Sequence, residues 1–118
     1  MNQLEREDLL NGLERFRSIA KQDILASAHT SNPEFWSKQA EARRKQYDEL
    51  VESIEKVGVD ETVELALGWY SKIPALHEEP EFGEPELRGY KQALEAFFKA
   101  VGIDKSRVVE SKAVAEGE

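Results

Sequence analysis

Residues 32–58 read NPEFWSKQAEARRKQYDELVESIEKVG, and this stretch decides the fold class. Asn32 is a favourable N-cap, and Pro33 suits the first helical position because its missing N–H costs nothing there. Gly58 predicts the helix end, since glycine readily adopts the left-handed conformation that closes many helices. One face of this helix recurs at spacings of four and three residues: Trp36, Ala40, Arg43, Tyr47, Leu50, Ile54 and Val57. This pattern predicts a long amphipathic helix suited to a near-antiparallel partner helix.

The flanking sequence predicts three more helices. Residues 4–28 carry an apolar stripe at helical spacing. That stripe comprises Leu9, Leu13, Phe16, Ala20 and Ile24, with Leu10 and Leu25 widening it. A third helix begins at Asp60 and ends before Pro74, and a fourth has Pro85 in its first turn. Gly68 lowers the helix propensity of the third helix, so we expect a neighbouring backbone to approach it closely.

The fourth helix ends in the same local pattern as the second. Val57-Gly58-Val59-Asp60 is matched by Val101-Gly102-Ile103-Asp104. In each, glycine closes one helix and aspartate can cap another, so residues 105–115 are expected to begin a short fifth helix. The sequence therefore predicts an antiparallel four-helix bundle with a possible short C-terminal fifth helix. Residues 1–118 form one domain, and residues 112–118 are expected to fray.

Composition limits the classes of function. The chain has 118 residues, a net charge of −8 and no cysteine, which excludes disulfides and thiolate chemistry. No apolar run approaches the roughly 20 residues that span a bilayer, and the first residues lack the pattern of a secretion signal. We therefore expect a cytoplasmic protein without a membrane partner. The negative charge makes nucleic acid an unlikely partner.

The negative charge is concentrated in one part of the chain. Residues 60–86 contain eight acidic side chains and one basic one, and residues 77–86 read HEEPEFGEPE. The prolines favour an extended backbone, which lowers the entropy that a partner must overcome on binding. We predict a docking loop for a protein with a basic surface: Glu78, Glu79, Glu81 and Glu84 steer the partner, and Phe82 anchors it. The alternative is a solvated connection whose Phe82 packs into the bundle.

Catalytic patterns are weak. All-α nucleotide pyrophosphatases hold magnesium on E-x-x-E pairs, and comparable spacings occur here at Glu49, Glu52, Glu55, Glu61 and Glu64. The same spacing is common on solvated helices. His77 and its neighbouring glutamates lack the spacing of a metal site. No metal site, cofactor or catalytic residue is therefore predicted, and a divalent-metal enzyme remains the alternative.

Arg43 is a basic residue on an otherwise apolar helical face. We expect it to pair with a buried acidic side chain or to extend to solvent. The remaining prediction is a small non-catalytic protein-interaction or regulatory module, with a possible homodimer through the face of residues 36–57.

Overall fold

The fold is entirely helical throughout the residues that the computed structural model describes, 3–76, 83–103 and 106–108. Four helices form a bundle: α1 (Gln3–Ala26), α2 (Pro33–Val57), α3 (Val59–Ser71) and α4 (Pro85–Val101). A 3-10 turn, Ser27–His29, follows α1. The all-α bundle predicted from the sequence is confirmed, and these described ranges contain no strand.

Local signals set the ends of α2. The Asn32 side chain accepts a hydrogen bond from the Phe35 N–H at 3.3 Å, and Pro33 occupies the first turn. At the other end, the Gly58 N–H donates to the Ile54 carbonyl at 2.9 Å. Gly58 has the predicted positive φ of 89°, but its ψ of 173° leads directly into α3. Gly102, by contrast, ends α4 in the left-handed helical conformation, at φ 77° and ψ 28°.

Helix α2 is the centre of the bundle and contacts each of the other three helices. It runs antiparallel to α1, as shown by the Arg17–Asp48 ion pair at 3.0 Å and by the Arg6 guanidinium donating to the Ile54 carbonyl. Among the described helices, its contact with α4 is the most extensive. These two helices run parallel, because Gly89 near the start of α4 lies against Gln39 and Ala42 in the first half of α2, whereas Val101 at the end of α4 lies beside Val59, just after the end of α2.

Two faces of α2 are buried. The first is the predicted one, with Ala40, Tyr47, Leu50 and Ile54 nearly inaccessible to solvent, although Val57 at its end is 46% exposed. The second was not predicted from the sequence and consists of Phe35, Gln39, Ala42 and Gln46. It faces α4, where a Cβ on Gly89 would stand 2.8 Å from the Ala42 Cβ.

The first buried face also bears on the predicted homodimer. Its central residues pack inside the chain, so this face is not available to a second copy. A homodimer stays a prediction, but it would need another surface.

The expected role of Gly68 is wrong. A Cβ at Gly68 would meet no atom within 4 Å, whereas one at Gly89 would collide with the backbone of α2. The close approach therefore occurs on α4. Leu25 was also expected to widen the stripe of α1, but it is 72% exposed.

The core lies between α2 and the inner faces of the other helices. Leu13, Leu94 and Phe97 are fully buried, and Leu67 is 4% exposed. Residues 106–108 are helical, and Val108 packs against the core. These residues agree with the start of a fifth helix. The rest of that predicted helix, including the tail at residues 112–118, lies outside the described residues.

Candidate interaction surface

The predicted docking loop lies mostly outside the described part of the chain. Glu78, Glu79, Glu81 and Phe82 belong to the undescribed residues, whereas Glu84 is described and exposed. Glu84 directly precedes α4 and approaches the N-terminal half of α2. There, the hydrogen bond that the Lys38 ammonium donates to the Glu34 carboxylate raises the pKa of Lys38, and the charges of Glu86 and Glu84 add to that effect. Glu84 is thus a solvent-exposed acidic side chain, and its role in docking a partner stays a prediction.

A cleft of about 310 Å³ opens at the other end of α4, between α4 and α1. We call it the α1 cleft. It is lined by Glu5, Asp8, Leu9, Gly12, Phe16, Ala100 and Val101. Leu9 is buried and Phe16 is partly buried, so their side chains form an apolar base, while Asp8 is exposed at the edge. The cleft therefore suits a ligand that has an apolar group next to a positively charged group of its own.

A second cleft of about 320 Å³, the α3 cleft, lies on the other side of the same helix end. It is lined by Val59, Asp60, Val63, Glu64, Val101, Ile103 and Arg107. Valines form its apolar base, Asp60 is exposed, and Glu64 forms an ion pair with Arg107. Val101 lines both clefts, so they adjoin. Together they make one surface, which we call the α4-end surface.

A third cleft, of about 360 Å³, is lined mostly by polar residues and lies where the end of α1 meets α2 and α4. Arg43 and Asp23 line it, and their side chains form an ion pair with 2.6 Å between Nη2 and Oδ2. The hydroxyl groups of Ser27 and Thr30 donate to the Ile24 and Ser27 carbonyls. Asp23, Ser27 and Thr30 therefore have partners within the fold, whereas the Arg43 Nε is buried without a hydrogen-bond partner. The predicted pairing of Arg43 with an acidic side chain is confirmed, but Asp23 is half-exposed and not buried as expected.

The carboxylates considered for magnesium do not gather in one place. Glu52 pairs with Lys56 at 2.7 Å, and Glu64 pairs with Arg107. Among the described residues, no three histidine, aspartate or glutamate side chains come close enough together to hold a metal ion. The same described residues include no helix that is long and apolar enough to cross a membrane.

Comparisons with known proteins identify no relative. No match to this chain was found among models of protein families, curated proteins or solved structures. The chemistry of the clefts is therefore the basis for assigning a role.

Sequence reasoning missed the α4-end surface, because it combines three segments that are far apart in the chain. Two signals could have indicated it. Gly12 lowers the helix propensity of a segment whose other residues favour a helix. Asp8 and Asp60 each lie one residue from a buried apolar side chain. Neither signal can be interpreted as part of a surface until it is known that α1, α3 and the end of α4 pack against one another.

Proposed function

We propose that this protein is a small non-catalytic interaction module that binds a basic, partly apolar segment of a partner protein through the α4-end surface. The observation that carries the proposal is the pair of adjoining clefts, each with an apolar base and an exposed aspartate. Apolar anchors supply most binding energy in protein interfaces, while charged edges supply steering and specificity.

The charge of the chain supports a basic partner. A net charge of −8 on 118 residues produces an attractive field for cations at long range. Asp8 and Asp60 add local acidic groups beside the apolar bases of the clefts. A basic segment would therefore be attracted first by charge and then held by apolar contact.

The docking loop remains part of the proposal as a second contact region. Glu78, Glu79, Glu81, Phe82 and Glu84 precede α4, whereas the α4-end surface lies at its far end. Since α4 has 17 residues, Glu84 at its start lies about 25 Å from the α4-end surface. One short segment would not contact both Glu84 and the α4-end surface, so mutations can separate the two contact regions.

The experiment isolates a partner with the wild-type chain and then measures its affinity for three double variants. Asp8→Lys with Asp60→Lys reverses charge at the α4-end surface, and Glu79→Lys with Glu81→Lys reverses it in the loop. Glu49→Lys with Glu55→Lys is the matched control, because both residues are exposed on α2 and line neither cleft. We expect the Asp8 and Asp60 double variant to bind the partner at least about tenfold more weakly at low salt, and the control variant to change the affinity little.

Two results would contradict the proposal. Equal losses for all three double variants would indicate that only net charge matters. An unchanged affinity for the Asp8 and Asp60 variant would exclude the α4-end surface, and a loss confined to the loop variant would then favour residues 77–86.

A rise in melting temperature with magnesium and a nucleotide would favour the metal-enzyme alternative, because ligands that bind the native state stabilise it.

A further inference from the structure

Gly12 lies in the α1 cleft without a structural reason to be glycine. Its φ is negative, since the positive-φ glycines of the described chain are Gly58 and Gly102. A Cβ at Gly12 would meet no atom within 4 Å, so no neighbour requires the absence of a side chain. Glycine also lowers helix stability in the middle of α1. The effect of Gly12 that the structure does show is an empty space above the apolar base of the cleft.

The walls of that space are apolar, and its edge is acidic. Leu9 is 8% exposed, Phe16 and Val101 are partly buried, and these side chains line the cleft together with Ala100. Exposed Asp8 lies on the same helix, one turn before Gly12. At about 310 Å³, the cleft is at the lower limit of small-molecule sites. It is better suited to a single bulky side chain than to a metabolite.

We propose that Gly12 keeps the α1 cleft open as the anchor pocket for one large apolar side chain on a partner helix, flanked by lysine or arginine that faces Asp8. This inference rests on the proposed function and specifies which part of the α4-end surface holds the anchor. A helical segment fits because apolar residues at helical spacing can fill a groove while basic residues flank them. A second copy of this chain fits less well, because a symmetric contact would bring like-charged acidic edges together.

The probe is a fluorescein-labelled synthetic helical peptide with leucine on one face and lysine on the other, measured by fluorescence polarisation. A peptide with glutamate in place of lysine tests charge, and one with alanine in place of leucine tests the anchor. We expect the leucine–lysine peptide to bind the wild-type chain and the other two to bind at least about tenfold more weakly.

Matched substitutions then test the pocket itself. Gly12→Leu fills the α1 cleft, and Gly68→Leu places the same side chain at a helix-interior glycine that lines neither cleft and likewise has no atom within 4 Å of a Cβ. Both changes improve helix propensity, so both variants should stay folded with a melting temperature at or above that of wild type. We expect Gly12→Leu to lose at least about tenfold in peptide affinity, and Gly68→Leu to bind as wild type does.

The outcomes separate this inference from the proposed function. Wild-type affinity in Gly12→Leu overturns the anchor pocket, and the proposed function still stands if the Asp8 and Asp60 charge reversal weakens binding. No binding of the leucine–lysine peptide to the wild-type chain overturns the anchor pocket, whereas the proposed function fails only if the partner measurement fails too. A homodimer in sedimentation that Gly12→Leu dissociates would assign the cleft to a second copy and overturn the basic partner.

Discussion

The two ends of α4 show opposite uses of glycine. Near its start, Gly89 lets α4 approach α2 so closely that an added Cβ would lie 2.8 Å from the Ala42 Cβ. Near its end, α4 faces Gly12 of α1, where an added Cβ would touch nothing. The first glycine closes a helix contact, and the second leaves a cleft open.

This difference shows how a structural glycine can be told from a candidate functional one. Glycine in a helix costs stability in both places. At Gly89 tight packing between α2 and α4 offsets this cost. Neither Gly12 nor Gly68 shows such a gain in packing, and Gly12 differs from Gly68 in lining the α1 cleft, which makes Gly12 the candidate for a role in binding.

The largest expected effect is at the closed end. Gly89→Ala should lower the free energy of unfolding by about 4 kcal/mol, above the usual cost of overpacking, because the obstructing atoms include α2 backbone that cannot rotate away. Urea denaturation measures this change. Gly68→Ala is the control and should be neutral or stabilising. If Gly89→Ala unfolds at the wild-type urea concentration, the spacing of α2 and α4 described above is wrong.

The second-largest expected effect tests the part of the core that lies between the two ends of α4. Leu94 lies on α4 between Gly89 and Val101 and is fully buried. Leu94→Ala should cost about 3 kcal/mol, through lost apolar burial and a cavity. Leu25→Ala removes the same atoms from a side chain that is 72% exposed, so it should change stability by less than about 0.5 kcal/mol. Similar losses in both variants would show that the face assigned to α4 is incorrect.

The sequence was sufficient for the helices because their ends are set by local chemistry. The ends of α2 are set by residues next to them in the chain, Asn32, Pro33 and Gly58. The apolar stripe of α2 can likewise be recognised within a few helical turns. The second buried face of α2 was missed because Gln39 and Gln46 are polar. Their burial depends on the helix that packs over them, and that pairing is a tertiary property.

The candidate site was less accessible to sequence reasoning for the same reason. A docking loop can be predicted from consecutive glutamates and prolines, since its residues are adjacent in the chain, and that prediction is still to be tested. The α4-end surface joins α1, α3 and α4, and Asp8 and Asp60 are 52 positions apart in the sequence. Such a surface becomes recognisable only when the packing of the helices is known.

The smallest expected effect has the opposite sign and tests the open end directly. Gly12→Ala should raise the free energy of unfolding by about 1 kcal/mol, because alanine favours the helix and the new methyl group enters empty space. Thermal unfolding should show a melting temperature higher by about 4 °C. The same substitution would then stabilise at Gly12 and destabilise at Gly89. A loss of stability in Gly12→Ala would mean that another part of the same chain fills the α1 cleft in solution, and a cleft that is already filled could not serve as the anchor pocket for a partner.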